Sequence, residues 1–203
     1  MKLLVAAVAA ELVAFPDELE GFDRIVTGPG KLKAAVALSE ALERGSYDEV
    51  LVVGTSGLVI GDDGADAATP GAPASLDDRV YEVTSAVQHD VTDLDGVRGR
   101  HVTLPERIDF GVVPEGCERV AVATGDSFVD DADTAAFIRS LGASLVDMET
   151  FAYAWVAARR GVPIRVIRAV SDRAQDGATT LWDEIVTTCS EWLWEYVTRE
   201  GLV

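Results

Sequence analysis

Carboxylates in this chain collect where apolar runs end. Glu11 follows the run at residues 3–8, Asp126 closes Ala123-Thr124-Gly125-Asp126, Asp147 and Glu149 follow residues 144–146, and Asp172 follows residues 164–170. Small hydroxyl residues and an aromatic stand beside them, in Gly54-Thr55-Ser56-Gly57, Ser127-Phe128 and Ser171. Grouped carboxyls can protonate a leaving group, take a proton from water or accept hydrogen bonds from hydroxyls. The only histidines are His89 and His101, too few for a metal-ligand set, and neither sits in a recognisable Ser-His-Asp context. His89-Asp90 therefore reads as a strand-end pair without a metal. Gly28-Pro29-Gly30-Lys31 lacks the spacing of a Walker loop. What these residues offer is acid–base work on a neutral organic molecule, with no metal and no cofactor.

Such residues act together only if a scaffold brings strand ends to one place. Strands are expected at residues 3–8, 24–27, 49–53, 80–91, 119–123, 144–146 and 164–170, from short apolar runs bounded by turn residues. Helical spacing predicts a helix over 31–44 ended by Gly45, and one capped by Asp131 or Asp133 and stopped by Gly142. Two more are expected over 150–160 and about 181–198. Residues 61–79, rich in Gly, Asp, Ala and Pro, read as a loop, and so does Gly54–Gly57. This alternation predicts an α/β fold: a three-layer α/β/α sandwich with a mixed, mainly parallel central sheet, one domain over 1–203. In open sheets of this kind ligands bind beyond the carboxyl ends of the strands, where the carboxylates stand. Trp182, Trp192 and Trp194 on the last helix read first as packing or an oligomer surface.

Composition narrows the partners. The 203 residues carry 17 Lys and Arg against 35 Asp and Glu, a net charge of −18 that repels phosphate backbones and anionic lipid, so no nucleic acid and no membrane partner is expected. A nucleoside-like ligand with little charge escapes that exclusion. With 48% hydrophobic residues, the chain has enough apolar surface for a packed core. Cys117 and Cys189 are too few for a disulfide framework and suit a reducing cytoplasm. The apolar start at residues 1–10 is shorter than a secretory signal and reads as a core strand. Residues 61–95 are strongly acidic, with Arg79 their only Lys or Arg, so most of the excess charge reads as solvated surface.

Several of these segments, in order, carry a resemblance. Val146-Asp147-Met148-Glu149, Ala123-Thr124-Gly125-Asp126-Ser127-Phe128-Val129 and Arg168-Ala169-Val170-Ser171-Asp172 resemble signatures of the purine nucleoside phosphorylase/nucleosidase superfamily. Gly28-Pro29-Gly30-Lys31 and Gly54-Thr55-Ser56-Gly57 fall in the matching order. The strongest likeness is to the 5′-methylthioadenosine/S-adenosylhomocysteine nucleosidases, over residues 1 to about 198. The resemblance implies that Asp172 delivers a proton toward purine N7, with Ser171 holding its carboxylate. It implies that Glu11 deprotonates the attacking water and that Glu149 accepts the ribose 2′- and 3′-hydroxyls, with Met148 against the sugar. Phe128 would stack on the base while the Val129 backbone reads its edge. Thr55, Gly57 and Trp182, the last in a loop after Asp172, complete the implied substrate set. A cytoplasmic homodimer acting on a small purine nucleoside is implied as well.

The nucleophile divides this superfamily. Phosphorylases commonly place an Arg two residues before the Gly-Thr/Ser motif, and here that residue is Val52. Lys31 is the only cation near Gly30, and the −18 charge opposes phosphate. Water is therefore favoured, with a phosphate-dependent phosphorylase as the alternative. The segment Val91–Gly96 is shorter than its counterpart in the family, which keeps a futalosine hydrolase open. A non-catalytic nucleoside sensor is the reading from another class. The presence of Glu11, Glu149 and Asp172 together argues against it, because binding alone needs no acid and base.

Overall fold

The structure, a computed structural model, describes residues 1–59, 79–91, 103–111, 120–174 and 178–203, with the backbone alone for 178–181, 183 and 184. Its centre is β1 (Lys2–Ala6), whose apolar side chains divide by face. Leu3 and Val5 pack toward one helical layer, while Leu4 and Ala6 pack toward the other. Burial on both faces is why this strand reads as a continuous apolar run rather than an alternating one.

β1 lies parallel between β2 (Phe22–Val26) and β3 (Glu49–Leu58). β3 pairs in parallel with β9 (Ile164–Asp172), which carries β4 (Val80–Val83) antiparallel on its far side. The end of β3 then shifts register between Ser56 and Gly57 and pairs antiparallel with β8 (Leu145–Asp147). Beyond β8 come β7 (Ala121–Thr124) and β5 (Ser85–Gln88), both parallel, and then β6 (Arg107–Asp109), antiparallel to β5. α1 (Lys31–Arg44) and α3 (Thr150–Arg160) cover one face, and α4 (Ala178–Arg199) covers the other. α2 (Ala132–Ser140) packs Ala135 and Ile138 on β7 and β8. The expected mixed, mainly parallel sandwich is the fold.

Local signals explain the helix limits. α1 stops at Gly45, α3 ends on Gly161 in the left-handed region, and the Asp131 carboxylate caps α2 by accepting from Thr134 N at 2.8 Å. Four expectations need correction. Gly54–Gly57 is not a loop but the second half of β3, because its backbone is paired by both β9 and β8. Residues 80–91 are not one strand: the chain breaks at Thr84, where it leaves β9 for β7, and Thr84 N and Ser85 N both donate to Val120 O. Ser171 and Asp172 are the last residues of β9, which runs two residues past the strand expected at 164–170. Trp182 sits on α4, which starts at Ala178, not in a loop after Asp172. Residues 61–78 of the expected loop, residues 92–96 of the shortened segment, His101 and Cys117 lie outside the described residues. Among the described residues no helix is long and apolar enough to cross a membrane.

Candidate active site

After β1 a 3-10 turn, Ala9–Leu12, doubles back and sets Glu11 over the strand end. Its Oε2 accepts from Ala7 N (3.0 Å) and Val8 N (3.2 Å), and its Oε1 accepts from Thr55 N (2.8 Å) and Thr55 Oγ1 (3.0 Å). Four donors fix a carboxylate that is 3% exposed. Trp182 Nε1 donates to Thr55 Oγ1 at 2.8 Å, so the indole secures the hydroxyl that secures Glu11.

Beneath Glu11 lies Arg168, to which no local motif assigns a task. It donates to Asp147 Oδ2 (2.5 Å) and Thr150 Oγ1 (2.7 Å), and both charged side chains are 1% exposed. Asp147 also accepts from Thr124 Oγ1 (2.6 Å), Thr150 N (3.1 Å) and the Thr150 hydroxyl. Burial alone would lower the Arg168 pKa, but Asp147, Glu149 and Glu11 together raise it, so the guanidinium stays charged. An Arg inside an otherwise apolar run was the available signal, since a buried charge must have a partner.

Glu149, at the start of α3, is 5% exposed, and its Oε1 accepts from Gly30 N at 2.8 Å. Burial and then the nearby Asp147 charge push its pKa up to about 8, against the pull of Arg168 and the Gly30 N–H. Asp172 is held from two sides: Ser171 Oγ donates to Oδ2 (2.7 Å) and Ala174 N to Oδ1 (2.8 Å). Ala174 reaches that carboxylate from a left-handed backbone at φ 44, a conformation costing a non-glycine residue about 1 kcal/mol.

Glu11, Glu149 and Asp172 open onto one cavity of about 350 Å³. Met148 and Val129 line it, Thr55 and Gly57 come from β3, Trp182 from α4, and Ser171 lies beside Asp172. Phe128, 41% exposed, stands at the rim. All ten residues singled out from the sequence line this cavity. Among the described residues its charged lining is Glu11, Asp147, Glu149 and Asp172, every one an acidic side chain. No grouping of metal ligands occurs among the described residues. A second hollow of about 630 Å³ near the start of β9 holds Arg165, bound to Glu82 through two hydrogen bonds of 2.9 and 2.8 Å. It holds none of the ten.

Comparison with known proteins agrees with this geometry. A sequence model of the Phosphorylase superfamily matches residues 111–193. A 5′-methylthioadenosine/S-adenosylhomocysteine nucleosidase from Bacillus licheniformis is 28% identical over 191 residues, covering 85% of this chain and 77% of the relative. The enzyme of the same name from Geobacillus thermodenitrificans is 28% identical over 193 residues, covering 85% and 76%. In fold, the S. pneumoniae nucleosidase solved with a transition-state inhibitor superposes with a TM-score of 0.76 at 22% identity, over 96% of both chains. The Helicobacter pylori futalosine hydrolase superposes with a TM-score of 0.76 at 19% identity, over 97% of this chain and 95% of that one. The chain is thus similar to the Phosphorylase superfamily over residues 111–193. Over most of its length it is similar to the curated methylthioadenosine/S-adenosylhomocysteine nucleosidases named above.

Proposed function

We propose that this protein is a purine nucleosidase, hydrolysing the N-glycosidic bond of a methylthioadenosine- or S-adenosylhomocysteine-like nucleoside to a free base and a ribose derivative. The observation that carries this reading is the cavity's charge: among the described residues, no Lys or Arg lines it. Arg168 is committed to Asp147 below the floor, and Lys31 to Asp90 outside it. A phosphate dianion entering there would find no cation to balance it, whereas water and a neutral nucleoside need none.

In this reading water oxygen bonds to C1′ as the C1′–N9 bond breaks, and that bond's electron pair leaves with the base. Asp172 gives its proton to N7, so the base departs neutral, and Ser171 and Ala174 aim the carboxyl. Glu11 takes the proton of the attacking water, held in place by Thr55 and the Ala7 and Val8 N–H groups. Glu149 accepts from the ribose 2′- and 3′-hydroxyls and faces the positive charge that develops on the sugar, as carboxylates do in glycoside cleavage. Met148 packs on the ribose, Phe128 stacks on the base, and the Val129 backbone reads its edge. Trp182 and Gly57 shape the same wall.

One sheet collects strands from Lys2 to Asp172, which supports treating 1–203 as one domain. A cytoplasmic location is part of the proposal, supported by Cys189 as a free, buried thiol. A homodimer is the expected assembly. The test is incubation of purified protein with methylthioadenosine, S-adenosylhomocysteine, inosine and futalosine, each with and without phosphate. Base release without phosphate is expected, and the preferred nucleoside identifies the 5′ group. Strict dependence on phosphate sinks hydrolysis in favour of phosphorolysis, and binding without release favours a sensor.

A further inference from the structure

We infer that Lys31, acting through Asp90 and Asp126, is a positioning residue that sets two walls of the cavity and aims the Gly30 N–H at Glu149. The inference rests on the nucleosidase reading above. Lys31 Nζ donates to Asp90 Oδ1 (2.6 Å) and Gln88 Oε1 (3.2 Å). Asp90 Oδ2 accepts from Asp126 N (2.9 Å), and Asp126 Oδ1 accepts from Lys31 N (2.7 Å), which closes a ring. Its members stand 59, 36 and 95 residues apart in the chain, so the ring ties the start of α1 to the ends of β5 and β7.

The start of α1 explains why this ring has to exist. Gly30 precedes the helix with no side chain to cap it, and its φ of 96 suits glycine. A Cβ there would stand 3.2 Å from Asp126 Oδ1. The free N–H groups of the first turn are met instead from other segments, Gly30 N by Glu149 and Lys31 N by Asp126. Pro29 lines the cavity on one side of the ring, and Ser127, Phe128 and Val129 line it on the other. Releasing the ring frees both walls and the donor on Glu149 together. An isolated exposed ion pair would matter little. Here the two side chains are only 19% and 25% exposed, and each member of the ring has a second partner.

The test uses the full chain and the nucleoside that wild type cleaves fastest, together with its 2′-deoxy counterpart. Lys31→Met is expected to raise KM for the ribonucleoside about tenfold with kcat changed less than about threefold, because binding rather than chemistry is lost. The penalty on the 2′-deoxy nucleoside is expected to be at least about threefold smaller, since Glu149 has lost one of its partners there. Lys31→Arg should restore most of the loss, and Asp90→Asn should reproduce it even if Lys31→Met folds poorly. Wild-type KM in both variants, or equal penalties on the two nucleosides, overturns the inference. If wild type cleaves nothing, the nucleosidase reading fails by itself. The ring is then judged by adenosine affinity in calorimetry, where Lys31→Met should weaken binding about tenfold and unchanged affinity overturns it.

Discussion

Arg168 and Asp147 meet at 2.5 Å with 1% of either side chain exposed. Asp147 is therefore the counterion of a buried arginine, although it lies one residue from Met148 on the cavity wall. Removing one partner of such a pair leaves an uncompensated buried charge, which costs about 3–5 kcal/mol. Arg168→Met should lower stability to urea by that order, and Arg168→Met combined with Asp147→Leu should recover part of it. A single variant within about 1 kcal/mol of wild type would show that the pair does not hold the floor.

Gly54 shows how tightly that floor is built. A Cβ on it would stand 2.2 Å from Arg168 Nη1 and 2.9 Å from Glu11 Oε1. Neither is a free side-chain tip: Asp147 and Thr150 hold the guanidinium, and four donors hold the carboxylate. Gly54→Ala should cost about 1–3 kcal/mol of stability through overpacking. It should also cut turnover by roughly 10²-fold if Glu11 is the proposed base, because the added methyl displaces it. Turnover near wild type would mean that Glu11 does not work from this position.

Most cavity residues were legible because they stand near the ends of apolar runs, which converge in an α/β sheet, whereas Trp182 comes from α4. Helix limits were legible where the chain uses local chemistry, as with Gly45, Gly161 and Asp131. The branching of the sheet was not legible, since β3 reads as a strand followed by a glycine-rich loop. Pairing of Gly54 to Gly57 with β9, and of Gly57 and Leu58 with β8, extends it. Arg168 was overlooked for a related reason. Its meaning lies in Asp147 and Thr150, about 20 residues away, and no local pattern joins them.

Glu149 should make stability depend on pH. Its pKa rises from 4.5 to about 8 on folding, so between those values the folded chain keeps a proton that the unfolded chain has lost. Its contribution is complete below about pH 4.5 and disappears as pH climbs through about 8. Urea midpoints of wild type should therefore fall from pH 5 to pH 8 more steeply than those of Glu149→Gln. Parallel profiles would remove Glu149 as the source.

The same shift links substrate binding to protons. Ribose hydroxyls donate to an ionised Glu149 and meet a competing proton when it is neutral, so nucleoside affinity should rise from pH 6 toward about 8. Calorimetry in buffers of different ionisation enthalpy should register proton release on binding. Affinity independent of pH in wild type, matching Glu149→Gln, would contradict the ribose contact.

Loss of Asp172 should separate chemistry from binding. Asparagine has nearly its shape, and its amide oxygen can still accept from Ala174 N while Ser171 Oγ turns toward Ser56 O, already 3.3 Å away. The substitution removes only the transferable proton. Asp172→Asn should therefore lower turnover of a purine nucleoside by roughly 10²-fold or more while binding persists. A riboside whose leaving group is stable as an anion, such as 4-nitrophenolate, needs no acid, and the variant should cleave it within about threefold of wild type. Loss on both substrates would point to displaced geometry, and loss on neither would remove Asp172 from the role of acid.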